Sequence, residues 1–198
     1  MMEGDDPFPR RAMLTAILAV PAIAAMTGKS AYAASDQSNQ IKGRKLLTAF
    51  FTRSGNTRVL AGTIHRALDT DLFEIKAARP YPEDYEATVE QARQERDRGV
   101  EPALAATVPS LGGYDAIFLG FPIWGETAPP IIRSFLSAHD FSGKTIRPFI
   151  THGGYGLGTS IEVLGSHAAK ARIADPFVLE ADQERRTIEQ VSAWLKRI

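Results

Sequence analysis

The chain has 198 residues, of which 44% are hydrophobic and 23% are charged, a composition typical of a globular protein with one well-filled core. Its 23 basic and 23 acidic residues cancel, so the net charge gives no indication of binding to nucleic acid or to an anionic membrane surface. The absence of cysteine excludes disulfides, thiolate metal sites, iron–sulfur clusters, thiol nucleophiles and a lipid-anchored lipoprotein.

The first 33 residues have the pattern of an export signal. Arg10-Arg11 precedes an uncharged, alanine-rich stretch over residues 12–28, and Ala31-Tyr32-Ala33 supplies a cleavage pattern of small residues. Paired arginines before a weakly hydrophobic run resemble a twin-arginine signal, although Pro9 and Met13 depart from the usual residues at their positions. The alternatives are a general secretory signal and an uncleaved N-terminal anchor.

Cleavage after Ala33 would leave a polar linker over residues 34–43 at the start of an exported, periplasmic or otherwise extracytoplasmic protein. We expect no stable membrane anchor to remain after that cleavage. The folded domain is then predicted to span residues 44–198.

From Lys45 onward, short apolar runs alternate with amphipathic stretches. In chain order, the pattern predicts strand 46–51, helix 57–68, strand 72–75, helix 84–98, strand 116–120, helix 130–138, strand 145–151, helix 159–171, strand 176–179 and helix 184–197. Such alternation predicts an α/β domain with a parallel sheet covered by helices on both faces. Because ligands of such sheets bind beyond the carboxyl ends of the strands, function is expected in the loops that follow the first, third and fourth strands.

The first of these loops is Thr52-Arg53-Ser54-Gly55-Asn56-Thr57. Hydroxyl side chains and a glycine at a helix N-terminus bring several N–H groups to one point, which suits a phosphate held without a lysine. A nucleotide-hydrolysing P-loop is excluded because no Gly-Lys-Ser/Thr follows. The alternative is helix capping by Ser54, Asn56 or Thr57.

The second loop, Phe121-Pro122-Ile123-Trp124-Gly125, places a rigid proline and two aromatic residues at the ligand edge. A planar ligand would stack well on Trp124. The alternative is that Trp124 only packs against the helix that follows.

The third loop runs from Thr151 to Thr159 and has four glycines within six residues, so that its backbone could lie against a ligand. It is not a dinucleotide-binding fingerprint, since Thr159 stands where that motif needs glycine. A flexible surface loop is the alternative.

Together, the Ser-Gly-Asn-Thr turn, the Gly-x-Pro-Ile-Trp segment and the Gly-Gly-x-Gly loop resemble the flavodoxin family, in particular its bacterial flavodoxin-like branch. The resemblance covers nearly all of residues 44–198. It implies a doubly wound, five-stranded parallel sheet of order 2-1-3-4-5 and one FMN bound without a covalent bond.

The resemblance also implies the residues that bind FMN. The phosphate would be held by Thr52, Ser54, Gly55, Asn56 and Thr57, and the isoalloxazine would lie between Pro122, Ile123, Trp124 and Gly125 on one side and Gly153, Gly154, Tyr155 and Gly156 on the other. Arg53 departs from the smaller residue usual in the turn and could reach the phosphate or an incoming anion, or be solvated.

No residue is predicted to be catalytic or to bind a metal. His65, His139 and His167 are predicted to have helical or capping roles, whereas His152 adjoins the third loop, where it could influence the reduced flavin or supply a proton, although a structural role is favoured. The charged segment 83–101 is interpreted as a solvated helix face.

The predicted function is electron transfer through the flavin, to a redox partner protein or a small-molecule acceptor. The zero net charge is unlike the acidic surface of small electron-shuttle flavodoxins. Two alternatives remain: an FMN-dependent reductase acting on NAD(P)H and a quinone or similar acceptor, and a flavodoxin-fold binding module without flavin.

Overall fold

The computed structural model describes residues 43–180 and 184–198, with the side chains of 184–189 left undescribed. The predicted signal over 1–33, with Arg10-Arg11, lies outside the described residues, as does the predicted linker up to residue 42.

Parallel strands form the centre of the described domain. They are β1 (Leu46–Phe50), β2 (Asp71–Glu74), β3 (Ala116–Pro122), β4 (Thr145–His152), β5 (Arg172–Ile173) and β6 (Phe177–Glu180). The order across the sheet is β2-β1-β3-β4-β5, with β6 also paired to β4, and every pairing is parallel. The predicted α/β architecture and the strand order 2-1-3-4-5 are therefore confirmed.

Helices connect the strands and cover both faces of the sheet. They are α1 (Asn56–Leu68), α2 (Tyr85–Asp97), α3 (Pro130–Ser137), α4 (Ser160–His167) and α5 (Glu184–Leu195), with a 3-10 turn at Leu111–Gly113. Proline at the first position of α3 suits a helix start, since its missing N–H has no intrahelical acceptor there. Among the described residues, no helix combines the length and apolar character needed to cross a bilayer.

Alternate residues of each central strand pack on opposite sides of the sheet. In β1, Leu47 and Ala49 pack in one cluster with α3 and α4, whereas Leu46 and Phe50 pack in the other with α1 and α5. All five residues of β1 are buried, as expected for a strand covered on both faces. This double burial explains why β1 and β3 appear in the sequence as mostly apolar runs.

The fifth strand differs from its prediction over 176–179. The edge of the sheet beside β4 is one interrupted strand: β5 pairs with Thr145 and Ile146, and β6 pairs with the last four residues of β4. Pro176 separates the two pieces, because proline cannot donate a hydrogen bond to the ladder.

Helix α4 is shorter than the predicted helix over 159–171. It ends at His167, and the chain then turns so that the Lys170 carbonyl accepts a hydrogen bond from Gly143 N at 3.2 Å. The turn brings Arg172 beside β4, with its N–H donating to the Lys144 carbonyl at 2.9 Å. Residues 168–171 are helical in their composition, but sheet pairing determines their conformation.

Candidate functional site

A cavity of about 630 Å³ lies at the carboxyl edge of the sheet, where β1, β3 and β4 end. All three loops predicted from the sequence contribute to its lining, and the opposite wall is helix α2. Its lining consists of Arg53, Ser54, Asn56, Tyr85, Thr88, Val89, Ala92, Arg93, Arg96, Pro122, Ile123, Trp124, Gly125, Glu126, Thr151, His152, Gly153 and Tyr155. Five of the predicted site residues lie in the adjacent turns and are not part of the lining: Thr52, Gly55, Thr57, Gly154 and Gly156.

The turn after β1 ends in a helix N-terminus that no side chain of the described residues caps. Gly55 is the N-cap residue at a φ of 98°, a conformation that glycine adopts without strain, and no side-chain hydrogen bond reaches the first turn of α1. The capping hypothesis is therefore wrong for Ser54, Asn56 and Thr57. The first N–H groups of α1 are available at the helix end, where the macrodipole favours an anion.

Two threonines hold this turn in place. Thr52 Oγ1 accepts a hydrogen bond from Gly55 N at 3.0 Å, which closes the turn. The buried hydroxyls of Thr57 and Thr151 are 2.9 Å apart, so α1 is bonded directly to the end of β4. Thr57 thus fixes the turn relative to the sheet, and the turn contributes Arg53, Ser54 and Asn56 to the lining of the cavity.

Trp124 is held edge-on by two aromatic rings. Its ring centroid lies 5.1 Å from that of Phe51 and 4.9 Å from that of Tyr81, both nearly perpendicular to it. The alternative that Trp124 packs only against the following helix is wrong. A second cavity of about 640 Å³, which extends along residues 74–83, is also lined by Trp124, so this residue borders two spaces.

Tyr81 itself is fixed by a hydrogen bond, its hydroxyl donating to Glu95 Oε2 at 2.8 Å. Burial, followed by this bond and the charge of Glu95, raises the pKa of Tyr81 above its ordinary value. The phenol therefore stays neutral and keeps α2 attached to the aromatic cluster around Trp124.

Backbone contacts fix the loop after β4 against the loop after β3. Thr159 N donates to the Glu126 carbonyl at 3.0 Å, and the hydroxyl of Thr159 donates to Thr127 Oγ1 at 2.9 Å. A Cβ atom at Gly158 would overlap that same carbonyl of Glu126. The flexible-loop alternative therefore fails at this end of the loop, although Tyr155 at its tip is 81% exposed.

His152 orders the glycine segment of this loop. Its Nδ1 accepts hydrogen bonds from Gly154 N at 3.0 Å and Gly156 N at 3.2 Å, which leaves the ring proton on Nε2. This geometry agrees with the structural role that the sequence favoured. His139 is similarly engaged, with Nδ1 2.7 Å from the Phe135 carbonyl and Nε2 accepting from Val108 N at 2.9 Å.

Helix α2 is the wall that the sequence analysis missed. Residues 83–101 were interpreted as a solvated face, yet Tyr85, Thr88, Val89, Ala92, Arg93 and Arg96 line the cavity. Their spacing of three and four residues marks one helix face, and on this face Tyr85 is 63% exposed and Val89 is 44% exposed.

Arg53 connects the turn after β1 to this wall. Its Nη2 donates to the Glu83 carbonyl at 2.7 Å, and its guanidinium lies 5.5 Å from the centroid of the Tyr85 ring. Arg53 is therefore neither purely solvated nor free to follow a distant anion. Over the described part of the chain, no cluster of His, Cys, Asp and Glu is suited to a metal ion.

Comparisons with known proteins relate this arrangement to flavoproteins. A family model described as Flavodoxin matches residues 45–198. A candidate flavoprotein from Bacteroides eggerthii is 30% identical, with a TM-score of 0.67, and the match covers 77% of this chain and 96% of that one. A candidate flavoprotein from Bacteroides uniformis is 31% identical, with a TM-score of 0.69, and the match covers 78% of this chain and 99% of that one.

A more distant structure shows the fold alone. It is a flavoprotein from Lactobacillus acidophilus in complex with FMN, 20% identical, with a TM-score of 0.59 and coverage of 74% of this chain and 99% of that one. No curated protein matches the sequence.

Proposed function

The chain belongs to the flavodoxin family, and from that premise we propose that its cavity binds one FMN without a covalent bond and uses it for electron transfer. The observation that carries the proposal is the convergence of three loops on one cavity at the carboxyl edge of the sheet, where α/β domains bind their ligands. The Bacteroides relatives, as candidate flavoproteins, support the same class of cofactor.

The turn after β1 suits the phosphate of FMN. The uncapped N–H groups of Asn56, Thr57 and Arg58 would donate to it, and the helix dipole favours its negative charge. At Gly55 a Cβ would have no described atom within 4 Å, so the space beside this residue is open. The Ser54 hydroxyl and the Arg53 guanidinium line the same end of the cavity.

The isoalloxazine would then lie between the two remaining loops, as the site residues predicted from the sequence imply. Pro122, Ile123, Trp124 and Gly125 would contact one side, and Gly153, Gly154, Tyr155 and Gly156 the other. When bound, FMN supplies a ring system that accepts and donates electrons. The protein orients that ring and sets its exposure, since the edge-on contacts of Trp124 fix the indole before any ligand arrives.

Two kinds of electron partner are compatible with this site, a redox protein and a small molecule. The second cavity favours a small molecule, because it offers about 640 Å³ beside Trp124, the residue on which the isoalloxazine would stack. An NAD(P)H-dependent reductase is therefore the second candidate. The two functions are separated by adding excess NADH or NADPH to the FMN-loaded protein and following its oxidation. Repeated turnover indicates a reductase, whereas no turnover indicates an electron carrier.

The proposed phosphate site is tested with Ser54→Asp, which adds a carboxylate beside the uncapped end of α1. Repulsion of the phosphate should weaken FMN binding at least tenfold, about 1.4 kcal/mol, and leave riboflavin binding nearly unchanged because riboflavin has no phosphate. Ser54→Asn is the matched control, similar in size and neutral. Dissociation constants are measured by titrating each flavin with a protein of residues 34–198 and following the quenching of flavin fluorescence.

Equal losses for FMN and riboflavin would show that the turn does not bind the phosphate. Absence of flavin absorption from well-folded wild-type protein, after FMN is added and excess removed, would instead replace the redox proposal by the binding module without flavin.

We also propose export by the twin-arginine route, supported by Arg10-Arg11 and the weakly hydrophobic run that follows. Replacing both arginines by lysine should retain the full-length chain inside the cell, whereas the wild type is shortened near Ala33 and exported. Export of the double-lysine variant at wild-type level would point to the general secretory route.

A further inference from the structure

Helix α2 contributes two arginines to the wall of the cavity, and one of them reaches the loop after β3. Arg93 and Arg96 both line the cavity, and the guanidinium of Arg96 lies against the backbone at Gly125. A Cβ atom at Gly125 would overlap Arg96 Nη1, so this close approach depends on glycine. The side chain of Arg96 is 30% exposed, so its charge is partly shielded from water.

Both arginines have acidic partners on the same helix. Arg93 pairs with Glu90 at 2.8 Å and with Asp97 at 3.1 Å, and Arg96 pairs with Asp97 at 3.3 Å. Neither Glu90 nor Asp97 is among the residues that line the cavity.

The cavity itself therefore has a cationic lining. Among the described residues that line it, the charged side chains are the guanidinium groups of Arg53, Arg93 and Arg96 and the carboxylate of Glu126. Arg53 is at the end next to the proposed phosphate site, bonded to the Glu83 carbonyl. The positive charge next to Trp124 and Gly125, where the isoalloxazine would lie, thus comes from α2.

We propose that Arg96 raises the reduction potential of the bound flavin by stabilising the negative charge that reduction places on the isoalloxazine. The inference rests on the proposed binding of FMN in this cavity. Uptake of two electrons and one proton leaves the ring system with one negative charge, and uptake of a second proton removes that charge. A guanidinium held within the partly shielded cavity favours the charged form.

Thermodynamic linkage makes this proposal measurable. A side chain that stabilises the reduced form makes the protein bind reduced flavin more tightly relative to oxidised flavin. The potential of the bound flavin then rises in proportion to the logarithm of the ratio of the two affinities. For a two-electron couple, a tenfold change in that ratio of affinities corresponds to about 30 mV.

The test compares Arg96→Gln, Arg96→Lys and Arg98→Gln in the FMN-loaded protein. Arg98 follows the same helix, is exposed and does not line the cavity, so Arg98→Gln removes the same charge from a different place. The midpoint potential is measured by equilibrium reduction with dithionite against a reference dye, and the dissociation constant of oxidised FMN by fluorescence.

Arg96→Gln should reduce the ratio of affinities for reduced over oxidised flavin about tenfold, which lowers the midpoint potential by about 30 mV. Arg96→Lys should retain most of the wild-type value, and Arg98→Gln all of it. A second readout is the pH at which uptake changes from two protons to one per two electrons. That pH should rise in Arg96→Gln, because the anionic ring loses its nearby cation.

A potential in Arg96→Gln equal to that of Arg98→Gln, with FMN still bound, would overturn the inference and leave the proposed function intact. Failure of the wild-type protein to retain FMN would overturn both.

Discussion

Trp124→Ala should weaken FMN binding by about 5- to 150-fold, since stacking of a heterocyclic ring on an aromatic side chain contributes about 1–3 kcal/mol. The loss is expected to be large because Trp124 is held rigidly. Phe51 and Tyr81 fix its ring on two sides, so the wild-type platform requires little reordering when the ligand binds. Trp124→Phe keeps an aromatic surface, so its affinity for FMN should fall much less.

The only other tryptophan, Trp194, provides a matched control. It lies on the opposite face of the sheet, 5.0 Å from Phe177 and 5.9 Å from Phe118 between ring centroids. Trp194→Phe should lower the melting temperature without changing FMN affinity. In that variant all tryptophan emission comes from Trp124 and should be quenched by FMN. Unquenched emission, or a Trp124→Ala variant with wild-type affinity, would exclude Trp124 as the platform.

Gly158→Ala should be among the most damaging single substitutions in the loops. A Cβ there would overlap the backbone carbonyl of Glu126, and the φ of 50° is strained for alanine. Left-handed strain and overpacking against a backbone atom together predict a loss of about 2–5 kcal/mol in the free energy of unfolding. FMN binding should fall as well, because the bond from Thr159 N to Glu126 joins the two loops.

Gly156→Ala separates the two causes. Gly156 has a φ of 72°, yet a Cβ there would find no atom within 4 Å. This variant should lose only the strain, about 1–2 kcal/mol. Chemical unfolding curves of both variants give the comparison, and equal losses would mean that the overlap at Gly158 is relieved by movement of the loop.

The sequence predicted the parts of the fold that depend on local pattern. The strands around Leu47 and Ile117 are mostly apolar because both of their faces are buried, and the positions of the loops followed from the parallel order of the sheet. Residues 168–171 and Pro176 were predicted less well. Their conformation follows from pairing with β4, a tertiary interaction that composition does not report.

The sequence predicted the three loops that line the site, but it did not predict that helix α2 forms the remaining wall. A charged helix that covers a cavity has the same composition as one that faces water, and only the position of α2 over the loop at Gly125 distinguishes them. The role of Arg53 could not be predicted from local pattern either, because the carbonyl that accepts its hydrogen bond belongs to Glu83, 30 residues away along the chain.

Helix α2 is also the wall that contributes least to the interior. It buries only Thr88 and Ala92, whereas α3 buries Ile131, Ile132 and Phe135 among others. Detaching α2 from the domain therefore exposes little apolar surface, and its local opening costs less free energy than opening of α3. Amide hydrogens of α2 should exchange earlier than those of α3. A mononucleotide then has an entrance on the α2 side, which opens when the contacts of α2 with Arg53, Tyr81 and Gly125 are broken while the sheet stays folded.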